Sequence, residues 1–329
     1  MDQKNKSLKF NFVMNIILTM SSFIFPLITF PYVSRVLLPV GTGKVSLATS
    51  VITYFSMFAQ LGIPTYGVRA CAKVRDDREK LSKMAQELLI INIIMSAISY
   101  IVLFILLFSV PKFRCEKELY VILSFTIILT SIGMEWLYKA LEQYTYITVR
   151  SVIFKFIALI AMFFLVHKQT DYVVYGGITI FAASASNILN LINAHKYIDL
   201  KPVGYYNFRQ HLKPVMIFFA MSCATTIYTN LDTVMLGFMT TDTEVGYYNA
   251  AVKIKTILVS VVTSLGTVLL PRASYYIQTG ELKEFRRITQ KALNFVVLVA
   301  APLILFILQK KEFSFFQVMP MRDLLCQCK

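Results

Sequence analysis

Ionisable side chains interrupt several otherwise apolar stretches of the sequence. Lys155 lies within one apolar run, Lys253 and Lys255 interrupt the start of another, and Asp232 ends a third. A charged group inside a membrane-spanning helix is costly, so its presence indicates a function. Several basic side chains that project into the interior of a helical bundle would create a cavity that attracts a diphosphate group.

Other charged residues cluster near the ends of apolar runs. Glu135 and Lys139 are four residues apart and are expected to pair on one helix face. Lys139, Glu142 and Arg150 are expected to extend to the membrane–water interface, as long charged side chains near helix ends commonly do.

Metal and cofactor chemistry has little support in the sequence. It contains no Gly-rich phosphate loop, no H-E-x-x-H motif and no paired-cysteine zinc motif. The three histidines, His167, His195 and His211, lie at the ends of apolar runs. They are expected to be solvated interface residues and not ligands. We therefore predict no metal and no bound cofactor.

The composition identifies the environment in which these charged residues must be placed. The chain has 329 residues, of which 57% are hydrophobic and 16% are charged, with a mean hydropathy of +0.62. Ordinary soluble domains contain about 25% charged residues. A soluble fold of this length could not bury so much apolar surface, so we predict a membrane protein and not a soluble enzyme.

The apolar runs predict an all-α, polytopic transmembrane bundle. A spanning helix needs roughly 20 apolar residues. Pro26 and Pro31 lie in the first run, where a kink or break is expected. The nine predicted spans are 11–33, 45–66, 87–110, 119–140, 148–167, 172–193, 212–232, 246–271 and 291–308.

The distribution of basic residues predicts the orientation. The chain carries 33 Lys and Arg against 18 Asp and Glu, a net charge of +15. Most of the basic residues fall in connections that share one side of the membrane with the N-terminus. Cytoplasmic connections are enriched in Lys and Arg, so we predict a cytoplasmic N-terminus. Phosphate-bearing membrane lipids are expected partners of these basic residues, and nucleic acid is not.

Several short motifs occur in a recognisable order and spacing from about residue 8 to 308. They are residues 31–37 (PYVSRVL), 41–44 (GTGK), 61–69 (LGIPTYGVR), 135–138 (EWLY), 146–151 (YITVRS), 230–237 (NLDTVMLG) and 246–251 (GYYNAA). Together they resemble the Wzx-type flippases of O-antigen and capsule synthesis, which form the polysaccharide-transport branch of the multidrug/oligosaccharidyl-lipid/polysaccharide exporter superfamily.

The resemblance implies a non-enzymatic transporter with two six-helix lobes around a central cavity. Its substrate would be an undecaprenyl-diphosphate-linked oligosaccharide repeat unit, moved from the cytoplasmic to the periplasmic leaflet of a bacterial inner membrane by alternating access. Coupling to H⁺ or Na⁺ is implied, and a polysaccharide polymerase and a chain-length regulator are implied partners. The residues implied to line the route are Arg35, Arg69, Lys155, Asp232 and Lys253.

The resemblance also implies a role for each kind of residue. The cations would hold the diphosphate or acidic sugars. Asp232 couples to a cation or pairs with one of the basic residues.

The chain departs from the family pattern after its ninth predicted span. Members of this family usually have twelve or more helices. We therefore predict a first lobe over residues 1–200, a partial second lobe with three helices over 201–308, and an aberrant polar tail over 309–329. A shifted reading frame across Met319 to Met321 resembles the family's continuation, so a frameshift near residue 308 is expected.

Three other functions remain open from the sequence. A drug or cation antiporter of the same superfamily would share the fold, although the intramembrane charges here are mainly basic. A polymerase or ligase acting on lipid-linked sugar would need a long periplasmic loop, which the predicted spans do not leave room for. A truncated fragment without activity is the third alternative.

Overall fold

The computed structural model describes residues 8–199, 201–202, 204–256, 259 and 280–308. Every regular element within these ranges is helical. The all-α prediction is therefore confirmed. The predicted polar tail, residues 309–329, lies outside the described residues.

Twelve α-helices, numbered in chain order, make up the described part of the chain. A 3₁₀ turn at Gln169–Asp171 precedes α8, and a π-helical turn at Phe181–Ala185 joins α8 to α9. The helices are α1 (Leu8–Gln60), α2 (Ile63–Lys73), α3 (Arg78–Ser109), α4 (Pro111–Cys115), α5 (Lys117–Ile132), α6 (Glu135–Ala140), α7 (Tyr144–Leu165), α8 (Tyr172–Ile180), α9 (Asn187–Ala194), α10 (Arg209–Met239), α11 (residues 242–256) and α12 (Leu282–Leu308).

Six helical segments of the described chain are long and apolar enough to cross a membrane. The first, Val13–Lys73, is 61 residues long and covers the first two predicted spans. The others match the third to seventh predictions: Arg78–Ser109, Lys117–Ala140, Tyr144–Leu165, Gln169–Ala194 and Arg209–Met239. Most of the eighth predicted span lies outside the described residues. The ninth falls within α12, which is not among the six.

The long helix α1 consists of two arms that meet at Leu38. The helical backbone continues through Pro26 and Pro31, where the sequence predicted a kink or break, and leaves helical geometry at Leu38 (φ 56°, ψ 175°). Leu38 precedes Pro39, and a residue before proline is disfavoured in the α region because the proline ring collides with it. The first arm therefore covers residues 8–37 and the second arm residues 39–60.

α2 and α3 are connected by a short capped turn. The Asp77 side chain accepts a hydrogen bond from the backbone N–H of Lys80 and so caps α3. The hydrogen bond from the Lys80 side chain and this backbone contact lower the pKa of the Asp77 carboxyl. The cap is therefore ionised at neutral pH.

Both arms of α1 are central to the packing. α1 contacts α3, α5, α7 and α10. Buried apolar residues of α1, α3 and α5 form the main core, which includes Leu37, Leu103 and Leu119. A second core between α2, α3 and α6 contains Ile63, Leu88 and Leu137. The other faces carry large exposed apolar side chains such as Phe108 and Phe164, as expected of helices that contact lipid.

The chain divides into two compact units, with the boundary after Gly246. The first unit contains α1 to α10 and the start of α11. The second contains the remainder of α11 and α12. The division into lobes near residue 200, expected from the family resemblance, stays a prediction.

Candidate functional site

A cavity of about 370 Å³ lies between the second arm of α1, the middle of α5 and the middle of α10. Pockets that hold small ligands usually measure about 300–1,000 Å³, so this volume suits a small ligand or part of a larger one. The lining residues are Thr49, Ile52, Thr53, Ser56, Met57, Gln60, Gly62, Pro64, Leu123, Thr126, Ser222 and Thr226.

The polar side chains of this cavity follow from the helical repeat. Those on α1 recur at intervals of three or four residues and therefore share one helix face. They are Thr49, Thr53, Ser56 and Gln60. Ser222 and Thr226 are one turn apart on α10 and face the same space. Every lining residue that the structure describes is uncharged, so the cavity offers hydroxyl and amide groups together with aliphatic surface.

Two of the lining groups are held in place by hydrogen bonds. The Gln60 amide nitrogen donates to Ser56 Oγ at 3.0 Å and to Thr130 Oγ1 at 3.2 Å. The Thr53 hydroxyl donates to the backbone oxygen of Thr49 at 2.7 Å. The Gln60 bonds connect α1 with α5 and fix the amide at the edge of the cavity.

The turn between α1 and α2 approaches α10 closely at one end of the cavity. Gly62 has a left-handed φ of 73°, and a Cβ atom there would lie 2.5 Å from the Phe219 nitrogen. Glycine is therefore required both by the backbone conformation and by the space. The Phe58 and Phe219 rings, 5.5 Å apart, pack beside this contact.

Asp232 lies on α10 beyond the outer side of the cavity. It is exposed and interacts electrostatically with Tyr54 of α1. The helical rise separates Thr226 from Asp232 by about 9 Å along the helix axis. Asp232 is thus near the cavity but is not part of its lining.

Lys155 of α7 extends toward the first arm of α1. Its ammonium group donates to Ser21 Oγ and Ser22 Oγ, each at 2.9 Å. The side chain is half-buried. Both serine hydroxyls also donate to the Leu18 carbonyl, so α1 presents them to Lys155 as oxygen acceptors.

The other cations of the predicted route are separated from Lys155. Arg35 is exposed, and the helix from Ser21 to Arg35 extends about 20 Å. Arg69 is also exposed, and its guanidinium carbon lies 5.0 Å from the centre of the Phe218 ring on α10. Lys253 is half-buried and belongs to the second compact unit. Arg69 contacts α10 at Phe218, about 21 Å along that helix from Asp232, so the first unit does not bring these four residues into one site.

The structure contradicts the expectation for one histidine. His167 and His195 are exposed as predicted, but His211 is fully buried. Its Nε2 lies 2.6 Å from Glu87 Oε2, and its Nδ1 lies 2.9 Å from the Tyr66 hydroxyl. The sequence places His211 at the start of an apolar run, and such positions are often solvated. Here Glu87 of α3 and Tyr66 of α2 pack against it.

The Glu87–His211 pair, which the sequence did not reveal, belongs to a network that holds the connection before α10. Glu87 also accepts hydrogen bonds from the Asn207 backbone N–H at 2.7 Å and from Gln210 at 2.8 Å. Glu87 begins the third predicted apolar run. This acidic residue at the start of an apolar run is the only feature of the sequence that points to the pair.

A further correction concerns Arg150, which was expected at the membrane–water interface. It is buried, donates to the Ser186 backbone oxygen at 2.7 Å and lies beside the Tyr146 ring. The predicted Glu135–Lys139 pair is confirmed, with a nitrogen–oxygen distance of 2.8 Å. Within the described residues, no group of His, Cys, Asp or Glu could hold a metal ion.

Comparisons with known proteins identify the family. The family model described as "Polysaccharide biosynthesis protein" matches residues 8–276. A protein named "Putative O-antigen transporter" from Escherichia coli (strain K12) is 25% identical over 287 residues, which cover 86% of this chain and 69% of the relative. A protein of the same name from Shigella dysenteriae is 24% identical over 257 residues, covering 77% of this chain and 64% of the relative.

The chain thus spans about two thirds of the length of these curated relatives. No solved structure matches it. The family match covers most of the chain, including the cavity and all five predicted route residues. The chain belongs to the polysaccharide biosynthesis protein family.

Proposed function

We propose that this protein moves undecaprenyl-diphosphate-linked oligosaccharide repeat units from the cytoplasmic to the periplasmic leaflet of a bacterial inner membrane, for O-antigen or capsule synthesis. The family match supports a transporter of polysaccharide precursors. The observation that carries the proposal is the combination of a half-buried lysine and an uncharged polar cavity among helices long enough to span a membrane.

Lys155 suits the anionic part of such a substrate. Its hydrogen bonds within the described residues go to two neutral hydroxyls, which solvate the ammonium group, while the Glu135 carboxylate acts on it only electrostatically. A cation in an apolar setting attracts an anion more strongly than it would in water, because the effective dielectric constant is lower. A diphosphate that reached this lysine would gain a charge-assisted hydrogen bond.

The cavity suits the sugar part. Oligosaccharides carry many hydroxyl groups, and crossing an apolar region without hydrogen-bond partners would cost several kcal/mol for each unsatisfied group, in the range of about 2–7. The hydroxyl and amide groups on α1, α5 and α10 would replace water as partners.

The remaining predicted residues are assigned to successive positions along the route. Arg35 and Lys155 are too far apart along α1 to hold one diphosphate together, so we propose that they act at different stages. Arg69 contacts α10, Asp232 lies farther along that helix, and Lys253 acts from the second unit. Asp232 binds a coupling cation or pairs with a basic residue as the route opens.

Expression in a bacterium that lacks its own O-antigen transporter tests the proposal. Restored surface polysaccharide would support it. Charge reversal by Arg35→Glu, Lys155→Glu or Lys253→Glu should lower the restored polysaccharide at least about tenfold, while reversal of the exposed Lys196 should not. Transport that survives all three reversals would exclude the cationic route, and drug resistance without polysaccharide would instead support an antiporter.

A further inference from the structure

Four hydroxyl groups that line the cavity have no hydrogen-bond partner in the part of the chain that the structure describes. They belong to Thr49, Thr126, Ser222 and Thr226. They come from three helices, α1, α5 and α10, and surround one space. Each hydroxyl can donate one hydrogen bond and accept others.

This arrangement differs from the usual behaviour of hydroxyls in apolar helices. Such hydroxyls commonly donate to the backbone oxygen four residues earlier. Thr130, Thr225 and Thr229, which do not line the cavity, do so at 2.7, 3.1 and 3.0 Å. The four cavity hydroxyls do not, so their hydrogen-bonding capacity is available to a ligand.

Gln60 adds a fixed acceptor to the same space. Its amide nitrogen has two hydrogens, and these are used by Ser56 and Thr130. In the described residues nothing donates to its Oε1, which leaves that oxygen as an acceptor. A fixed amide costs little additional side-chain entropy when a ligand binds.

We infer that this cavity is a binding subsite for uncharged sugar rings, and that the diphosphate of the same substrate is held outside it. The inference rests on the proposed function. Sugar hydroxyls both donate and accept hydrogen bonds, which matches the four free hydroxyls and the Gln60 oxygen. The aliphatic side chains of Ile52, Met57 and Leu123 supply contacts for the C–H faces of the rings.

The absence of charge from the lining argues for the sugar and against the diphosphate. A diphosphate in this cavity would lose its hydration without gaining a cation as a partner, and burying an unpaired charge is strongly unfavourable. A neutral hydroxylated ring loses hydrogen bonds to water that the cavity can replace. The cavity therefore discriminates between the two parts of one ligand.

Binding to the purified chain in lipid nanodiscs tests this inference. The two probes are undecaprenyl diphosphate that carries a neutral disaccharide and undecaprenyl diphosphate without sugar. The test variant combines Thr49→Val, Thr126→Val, Ser222→Ala and Thr226→Val, which remove the hydroxyls with little change of shape. We expect its affinity for the sugar-bearing lipid to fall about tenfold or more, and its affinity for the sugar-free lipid to stay unchanged.

The matched control is the double variant Thr225→Val and Thr229→Val, which makes the same chemical change on α10 outside the cavity. It should bind both lipids like the unaltered chain. If the quadruple variant does not fold, the single variants Thr126→Val and Thr226→Val give the same comparison, with a severalfold loss expected for each.

Equal affinity of the unaltered chain and the cavity variants for the sugar-bearing lipid would overturn the inference and leave the proposed function in place. An unaltered chain that binds both lipids equally would also overturn it, because the sugar would then add nothing. If the chain bound neither lipid and restored no polysaccharide, the proposed function would fail, and the sugar subsite would fail with it.

Discussion

Lys155 shows how one residue can be costly to the fold and useful to the function. Its ammonium group is half-buried in a spanning helix, where two serine hydroxyls replace only part of its hydration. An ammonium group in a spanning helix costs free energy, so an apolar side chain of similar length is expected to be neutral or stabilising there. A residue kept only for stability would not be a lysine at this point.

Lys155→Met should therefore separate stability from function. We expect an unchanged or higher midpoint of thermal unfolding in detergent, together with at least about tenfold weaker binding of undecaprenyl diphosphate. Lys155→Arg should retain most of the binding because it retains the charge. A variant that unfolds earlier yet binds normally would show that Lys155 is structural.

Unlike Lys155, the Glu87–His211 pair is expected to stabilise the fold. Both side chains are completely buried, and Glu87 accepts bonds from Asn207 and Gln210 as well. Glu87→Ala would leave these partners unsatisfied, and losing one member of a buried pair costs about 3–5 kcal/mol. Glu142→Ala breaks the half-exposed pair with Arg75 and should change the unfolding midpoint little. Similar midpoints for the two variants would contradict the assigned burial.

Among the helices, the start of the second arm of α1 and residues 242–246 of α11, all in the first compact unit, meet almost backbone to backbone. A Cβ atom on Gly43 would lie 1.8 Å from the Asp242 backbone oxygen, and one on Gly246 would lie 2.0 Å from the Pro39 oxygen. Neither backbone oxygen can move aside as a flexible side chain could. The contact is therefore possible because each helix has a glycine where the other helix approaches it.

Gly43→Ala should force these helices apart and lower the free energy of unfolding by about 1–3 kcal/mol. Gly177→Ala on α8 is the matched control, because a Cβ there would meet only Ile122 at an ordinary 3.6 Å. The control should be neutral or slightly stabilising, since alanine favours helix more than glycine. Thermal unfolding of both variants in detergent checks the pair, and a stable Gly43→Ala would argue against the close approach.

The elements themselves were largely predictable, whereas the site was not. Long apolar runs require helices because a lipid phase leaves no other partner for the backbone, so the predicted spans in the described chain match helices. α1 contains three prolines, Pro26, Pro31 and Pro39, and hydropathy does not report that the break falls at Leu38. The burial of His211 and Arg150 depends on which helix face meets a neighbour, which hydropathy cannot give.

The cavity illustrates the same limit. The repeat of hydroxyls from Thr49 to Ser56 is visible in the sequence, but neutral hydroxyls in helices usually bond to their own backbone and carry little information. Only the packing of α1 against α5 and α10 shows which hydroxyls remain free.

The whole molecule has a charge distribution that predicts its orientation. Basic residues concentrate in the connections on the side of the N-terminus, which favours a cytoplasmic N-terminus. A reporter enzyme active only in the periplasm should be inactive when fused after residue 76 and active when fused after residue 168. The reverse activities would contradict the orientation and, with it, the proposed direction of transport.

Transport by the purified chain is the most direct test of the proposed movement of lipid-linked oligosaccharide across the membrane. The chain is reconstituted into vesicles that contain undecaprenyl diphosphate linked to a neutral oligosaccharide, and a membrane-impermeant lectin measures how fast sugar appears on the opposite face. We expect transfer well above that of protein-free vesicles, with a loss of at least about tenfold for both Lys155→Glu and the quadruple cavity variant. Transfer no faster than in protein-free vesicles, or equal transfer by the unaltered chain and both variants, would contradict it.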